Sequence, residues 1–182
     1  MKKLTRKERK EKVNRLMDRM EKSTKVCIEV LLNMADLVKS VDFFTHALGK
    51  AGIKLCNEVL EIDPDNVDAL LTKAELWMWL GRMDCQRQCY DRVLELDPEN
   101  VEALAHRGLL AARIDRDPDN ARHLVSLAVD LDPENLDALH CKGLTLMELG
   151  ETEEAIECYE KMLAIDPGNE VARNLIRECK NG

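Results

Sequence analysis

Residues 67–100 read VDALLTKAELWMWLGRMDCQRQCYDRVLELDPEN, and the punctuation of that stretch decides the fold. Leu70, Ala74, Trp77 and Met78 recur at helical spacing. Leu80-Gly81 then ends the pattern, because glycine accepts the left-handed backbone that a helix C-cap requires. A second helical pattern follows through Cys85, Cys89, Tyr90, Val93, Leu94 and Leu96, and Pro98 stops it. The stretch predicts a helix, a tight turn, a second helix and a second tight turn.

The closing phrase recurs. Asp63-Pro64-Asp65-Asn66, Asp97-Pro98-Glu99-Asn100, Asp132-Pro133-Glu134-Asn135 and Asp166-Pro167-Gly168-Asn169 stand 34, 35 and 34 residues apart. A fixed period of this length marks stacked supersecondary units. Asp-Pro ends one helix, and the Asp or Asn beside it caps the next. A fifth copy, Asp117-Pro118-Asp119-Asn120, falls out of step, where the neighbouring units carry a glycine turn. There Pro118 belongs in the first turn of a helix, with Asp117 as its cap, and the extra residue explains the interval of 35. Residues 136–169, LDALHCKGLTLMELGETEEAIECYEKMLAIDPGN, give the clearest unit. Gly143 is expected at a close helix crossing with Ala155 opposite, Leu149-Gly150 at the turn, and Tyr159 and Met162 in the core.

These residues resemble the tetratricopeptide repeat family. In the best unit Leu139, Lys142-Gly143, Leu146, Ala155, Tyr159, Met162 and Pro167 occupy the family positions. In residues 67–100 they are Leu70, Lys73-Ala74, Trp77, Gln86, Tyr90, Val93 and Pro98, with Gln86 replacing the usual alanine and expected to open its turn slightly. In residues 101–135 they are Leu104, Arg107-Gly108, Ala111, Ala121, Val125, Ala128 and Pro133. The resemblance implies an all-α, right-handed α-solenoid of helix-turn-helix repeats. The expected organisation is a basic amphipathic N-terminal helix region (1–42), a partial, divergent repeat (43–66), three repeats (67–169) and a capping helix (170–182). In the partial repeat Gly52 takes the small-residue position, and Ser40 or Asp42 is the expected cap. In the last helix Val171, Leu175 and Ile176 are expected to face inward.

The resemblance also implies a function: non-catalytic binding of a protein or peptide, as an adaptor or scaffold. First helices of successive repeats line the inner face in this family. By that correspondence the binding residues are Leu71, Glu75, Met78 and Trp79, then His106, Leu109 and Arg113, then His140, Leu144 and Met147. Methionine and tryptophan adapt to, and bury, a partner's apolar side chains. Family repeats that hold the C-terminal carboxylates of Hsp70 or Hsp90 use Lys and Asn, then Asn, then Lys and Arg. The matching positions here are Leu71 and Glu75, then His106, then Asp137 and Cys141, and the acids would repel such a tail. A partner with basic and apolar side chains is expected instead.

Charge is unevenly placed within the formal −8. Residues 1–25 hold eleven Lys/Arg against four Asp/Glu, a net of +7, and the rest of the chain carries −15. The acidic body will not attract nucleic acid by its general field. The basic start is interrupted by Glu8, Glu11, Asp18 and Glu21, which form i,i+4 partners such as Glu8–Lys12 and Glu11–Arg15 that support a helix. Its apolar positions Val13, Leu16, Met17 and Met20 allow packing on the repeats or a homodimer contact. A second reading is therefore a self-assembling or nucleic-acid-associated module acting through this N-terminal helix, and no membrane partner is expected.

Catalysis finds no support. His46, His106, His123 and His140 lack the spacing of a zinc or catalytic motif, and no phosphate loop or nucleophile motif occurs. Seven cysteines, odd in number and without scaffold spacing, predict reduced thiols and a cytoplasmic setting. Cys89 and Cys158 take packed helix positions. No cofactor and no metal is expected.

Overall fold

The computed structural model describes residues 41–181 together with Arg15 and Arg19. Of the basic N-terminal helix region expected over 1–42, all but Arg15, Arg19, Val41 and Asp42 lies outside the described residues. Among the described residues every regular element is helical, and no helix is long and apolar enough to cross a membrane. They run α1 (Val41–Ile62), α2 (Val67–Trp79), α3 (Met83–Leu96), α4 (Val101–Leu110), a π turn (Ala111–Asp115), α5 (Pro118–Leu131), α6 (Leu136–Glu148), α7 (Thr152–Ile165) and α8 (Glu170–Asn181). Two compact units divide within α3, the first ending at Gln86 and the second beginning at Arg87.

The repeated phrase works as a two-part device. The asparagine is the cap: Asn66 accepts from the Ala69 amide at 2.9 Å, Asn100 from Ala103 at 3.0 Å, Asn135 from Ala138 at 3.0 Å and Asn169 from Ala172 at 2.9 Å. Each satisfies one of the amides that a helix start leaves unpaired. The aspartate braces it, since Asn66, Asn100 and Asn135 donate their side-chain amides to Asp63, Asp97 and Asp132, each at 3.3 Å.

In the first unit α1 packs on α2. Gly52 lets the Leu76 side chain approach, where a Cβ would stand 2.8 Å from Leu76 Cδ1. Asp42 lies inside α1 and not at its cap, because the helix already includes Val41. At the turn after α2, Gly81 adopts φ 66°, and the amides of Gly81 and Arg82 donate to Met78 and Trp77, each at 2.9 Å. In the second unit Gly150 adopts φ 80°, and the amides of Gly150 and Glu151 donate to Met147 and Leu146 at 3.1 and 2.8 Å. The expected opening at Gln86 is therefore absent from the turn: its hydrogen bonds match those of the Gly150 turn, and Gln86 itself is buried.

In the second unit the helices from α4 onward stack in sequential order. α5 packs on α4, α6 against both, α7 on α6 and α8 on α7. One cluster joins Leu104, Ala105, Ala128, Ala138 and Cys141, and another joins Leu139, Leu146, Ala155, Cys158, Tyr159, Met162 and Ala172. Gly143 lies over the Tyr159 ring: a Cβ there would meet Tyr159 Cε1 at 2.3 Å. The intimate neighbour of Gly143 is thus the tyrosine, where the sequence suggested Ala155. The α8 helix corrects a second expectation. Val171 is 54% exposed and Ala172 is buried, so the inward face is Ala172, Leu175, Ile176 and Cys179.

The out-of-step phrase does cap a helix. Asp117 accepts from the Asn120 amide at 3.2 Å, and Pro118 opens α5. The extra residue is absorbed before it. After Leu110 the chain widens into the π turn, Arg116 reverses direction at φ 52°, and the Asp117 amide donates to Ala111 at 3.2 Å. Arg116 occupies the left-handed region without being glycine, which costs about 1–2 kcal/mol. Arg116→Gly is accordingly expected to raise stability by about 1 kcal/mol after the added unfolded-state entropy is discounted, read as a higher urea midpoint. A lower midpoint would show that the arginine side chain contributes more than its backbone loses.

Candidate binding surface

The binding residues expected from the sequence divide between the two units. On α2 of the first unit, Leu71 is half-buried and Glu75 is exposed. Met78 and Trp79 are 44% and 69% exposed, so a large apolar surface stands in water there. Arg82 lies over the neighbouring Trp77 ring at 5.9 Å, a cation–π contact. Met83, a residue that sequence reasoning passed over, is also 44% exposed.

The second unit places the other six on α4, the π turn and α6. His106 stacks its ring in parallel on Tyr90 at 5.4 Å, and its two nitrogens reach α6. Nε2 stands 3.0 Å from Asp137 Oδ2, and Nδ1 stands 3.6 Å from Cys141 Sγ. Arg113 donates from Nε to Glu148 at 2.7 Å. Met147, which is exposed, has Cys179 Sγ of α8 at 3.2 Å from its sulfur. Leu144 and His140 are half-buried, and Leu109 is buried.

These pairings follow one rule. His106 and Cys141, like Arg113 and Glu148, are 35 residues apart, the interval between their two repeats. At these two positions equivalent residues of neighbouring first helices face one another, so His106 meets Cys141 and Arg113 meets Glu148. Asp137 adds a residue one turn before Cys141 on the same helical face. That offset was the available signal for the His106–Asp137–Cys141 cluster, which sequence reasoning missed.

Electrostatics follow from these contacts. Burial presses the His106 imidazole towards its neutral form, but hydrogen bonds with Asp137 and Cys141 outweigh it and hold its pKa well above the ordinary value. The same hydrogen bond lowers the Asp137 carboxyl. His140 is pushed down by burial. The described cysteines are free thiols, and burial raises those of Cys56 and Cys158.

A second network supports the α4 end of this surface from behind. Arg107 donates from Nε to Asp91 of α3 at 2.5 Å, and its Nη1 lies 2.8 Å from Asp115 Oδ2. The latter is a charge contact without the direction of a hydrogen bond. Arg87 donates to the other Asp115 oxygen at 2.7 Å. Asp115 thus clamps the π turn between two guanidinium groups.

Known proteins with this arrangement are readily found. A family model described as tetratricopeptide repeat matches residues 136–169, and another of the same description matches residues 87–135. The crystal structure of MamA is 30% identical, over 71% of this chain and 75% of that one, with a TM-score of 0.59. The first such domain of Spaghetti (RPAP3), bound to the HSP90 peptide SRMEEVD, is 26% identical over 63% of this chain and 93% of that one, at 0.56. A mutant O-GlcNAc transferase of Thermobaculum terrenum is 27% identical over 62% of this chain but only 22% of its own, at 0.58. No curated protein matches the sequence.

Proposed function

The chain belongs to the tetratricopeptide repeat family, and from that premise we propose that it is a non-catalytic adaptor which binds a protein or peptide through its first helices. The observation that carries the proposal is the apolar surface left open on those helices. Met78 and Trp79 in the first unit, and Met147 beside half-buried Leu144 and His140 in the second, stand out of the core, whereas Leu70, Leu104 and Leu139 on the same helices are inside it. Met and Trp exposed in this way suit adaptable apolar capture. Leu71, Glu75, His106 and Arg113 complete the proposed set, and Leu109, which is buried, would support it from beneath instead of touching the partner. The free thiols support a cytoplasmic setting for this activity.

The peptide-bound relative holds an acidic tail, but the chemistry here favours the opposite sign. Glu75 is exposed and Asp137 is half exposed at the positions in question, while Arg113 is already occupied by Glu148. A partner segment with Lys or Arg between Leu and Met side chains fits both features.

Titrating the full chain with fluorescent peptides tests this. A basic–apolar peptide library is expected to yield binders, with SRMEEVD at least about tenfold weaker than the best of them. Trp79→Glu and Met147→Glu, each on an exposed side chain, are expected to weaken the best binder about tenfold or more while leaving helical content intact. Preferential binding of SRMEEVD, or indifference to both substitutions, would overturn the proposal.

A further inference from the structure

His106, Asp137 and Cys141 offer an imidazole nitrogen, a carboxylate oxygen and a thiol sulfur, all within 4.8 Å of one another. Asp137 and Cys141 are one turn apart on α6 and so present two donors on one helical face. His106 arrives from α4 and closes the set from the opposite side. The imidazole stacks in parallel on Tyr90, which supports the ring beside α6.

Donor chemistry narrows the ion. Calcium and magnesium take oxygen ligands, whereas one nitrogen, one sulfur and one oxygen suit a borderline transition-metal cation of the zinc type. Burial sets the direction of access. Cys141 is 1% exposed and forms the floor, His106 is mostly covered, and the Asp137 side chain is 51% exposed at the rim. An ion therefore enters from the Asp137 side, and its remaining coordination position faces solvent.

We propose that His106, Asp137 and Cys141 form a three-ligand site for a zinc-type divalent cation, with the fourth position open to water. Without the ion the donors hold one another: the imidazole edge spans from Asp137 to Cys141 through its two nitrogens. Binding replaces these contacts. The thiol proton, and the proton on the coordinating nitrogen, pass to solvent. A movement of about 1 Å in the imidazole draws the donors towards the roughly 3.3–3.6 Å separations of tetrahedral zinc ligands. The other ring N–H stays free to hydrogen-bond and orient the ring. The site shares His106 and Asp137 with the proposed partner surface, but its test reads the metal alone and needs no partner, so the two readings can fail separately.

Cobalt(II) reports such a site directly. Titrating the full, reduced chain with Co2+ is expected to give tetrahedral visible bands and a near-ultraviolet thiolate charge-transfer band that saturate together at one ion per chain, and Zn2+ should then displace both. Cys141→Ser is expected to abolish the charge-transfer band and weaken binding at least tenfold. Asp137→Asn changes an exposed side chain, so the fold tolerates it, and it should weaken binding about tenfold while the charge-transfer band remains. Cys179→Ser and His123→Ala, outside the donor set, should change neither. If Cys141→Ser loses helical content, Asp137→Asn decides alone. No saturable band, a charge-transfer band that survives in a folded Cys141→Ser chain, or binding indifferent to Asp137→Asn would each overturn the proposal.

Discussion

Replacing Tyr159 with alanine is expected to remove about 3–5 kcal/mol of stability, the range for deleting a buried aromatic ring. The ring is fully buried between α6 and α7, in the same cluster as Leu139, Leu146 and Met162. Its hydroxyl is buried without a hydrogen-bond partner among the described residues, and burial, with smaller contributions from Cys179, Cys158 and Glu178, pushes its pKa upward. The ring should therefore carry the whole effect: Tyr159→Phe is expected to be neutral or to gain up to about 1 kcal/mol. Gly143→Ala tests the same contact from the other helix. A methyl group 2.3 Å from the ring edge forces α6 and α7 apart, at about 1–3 kcal/mol. In a Tyr159→Ala background that cost should vanish, because the methyl then enters the vacated space. Urea midpoints followed by helical circular dichroism give the complete cycle. Additive losses would mean that glycine and tyrosine do not define the crossing.

How much of this was legible in the sequence depends on whether a feature is local. Asn100 and Asp117 as caps, and Gly81 and Gly150 at turns, are statements about four or five consecutive residues, and the sequence contained them whole. The inward face of α8 was misjudged at Val171 for a definite reason. Hydropathy pointed to the larger residue, but with Asn169 capping the helix the inward positions fall at Ala172, Leu175, Ile176 and Cys179. The π turn was only half legible. The interval of 35 announced an extra residue, but where the helix widens depends on Asp115 being caught by Arg107 from the preceding helix and by Arg87, which is 28 residues away. The His106–Asp137–Cys141 cluster was hidden for the same reason: its members fit no contiguous motif and meet only once α4 and α6 lie side by side in register.

Arg107→Ala is the second large effect, expected at about 2–3 kcal/mol. Its side chain is 13% exposed and bridges Asp91 on α3 to Asp115 in the π turn. Breaking a fully buried ion pair costs about 3–5 kcal/mol, because the remaining charge is left without compensation. Here the loss is smaller: Arg87 still holds Asp115, and Asp91 is half open to water. Arg107→Lys should recover less than half of it, since an ammonium is a compact charge and cannot span two carboxylates as a planar guanidinium does. The location of the loss matters as much as its size. Asp115 freed from Arg107 no longer anchors the widened turn, so the amides of residues 111–117 should exchange with solvent faster than those of α6, which keep their packing. Because Arg107 and Asp115 are largely covered, 1 M NaCl should narrow the gap between wild type and Arg107→Ala only in part, through the half-open Asp91. Full recovery by lysine, or a gap that closes in salt, would reduce the network to a surface ion pair. The π turn would then have to be held by the Asp117-to-Ala111 hydrogen bond and the cap on α5 alone.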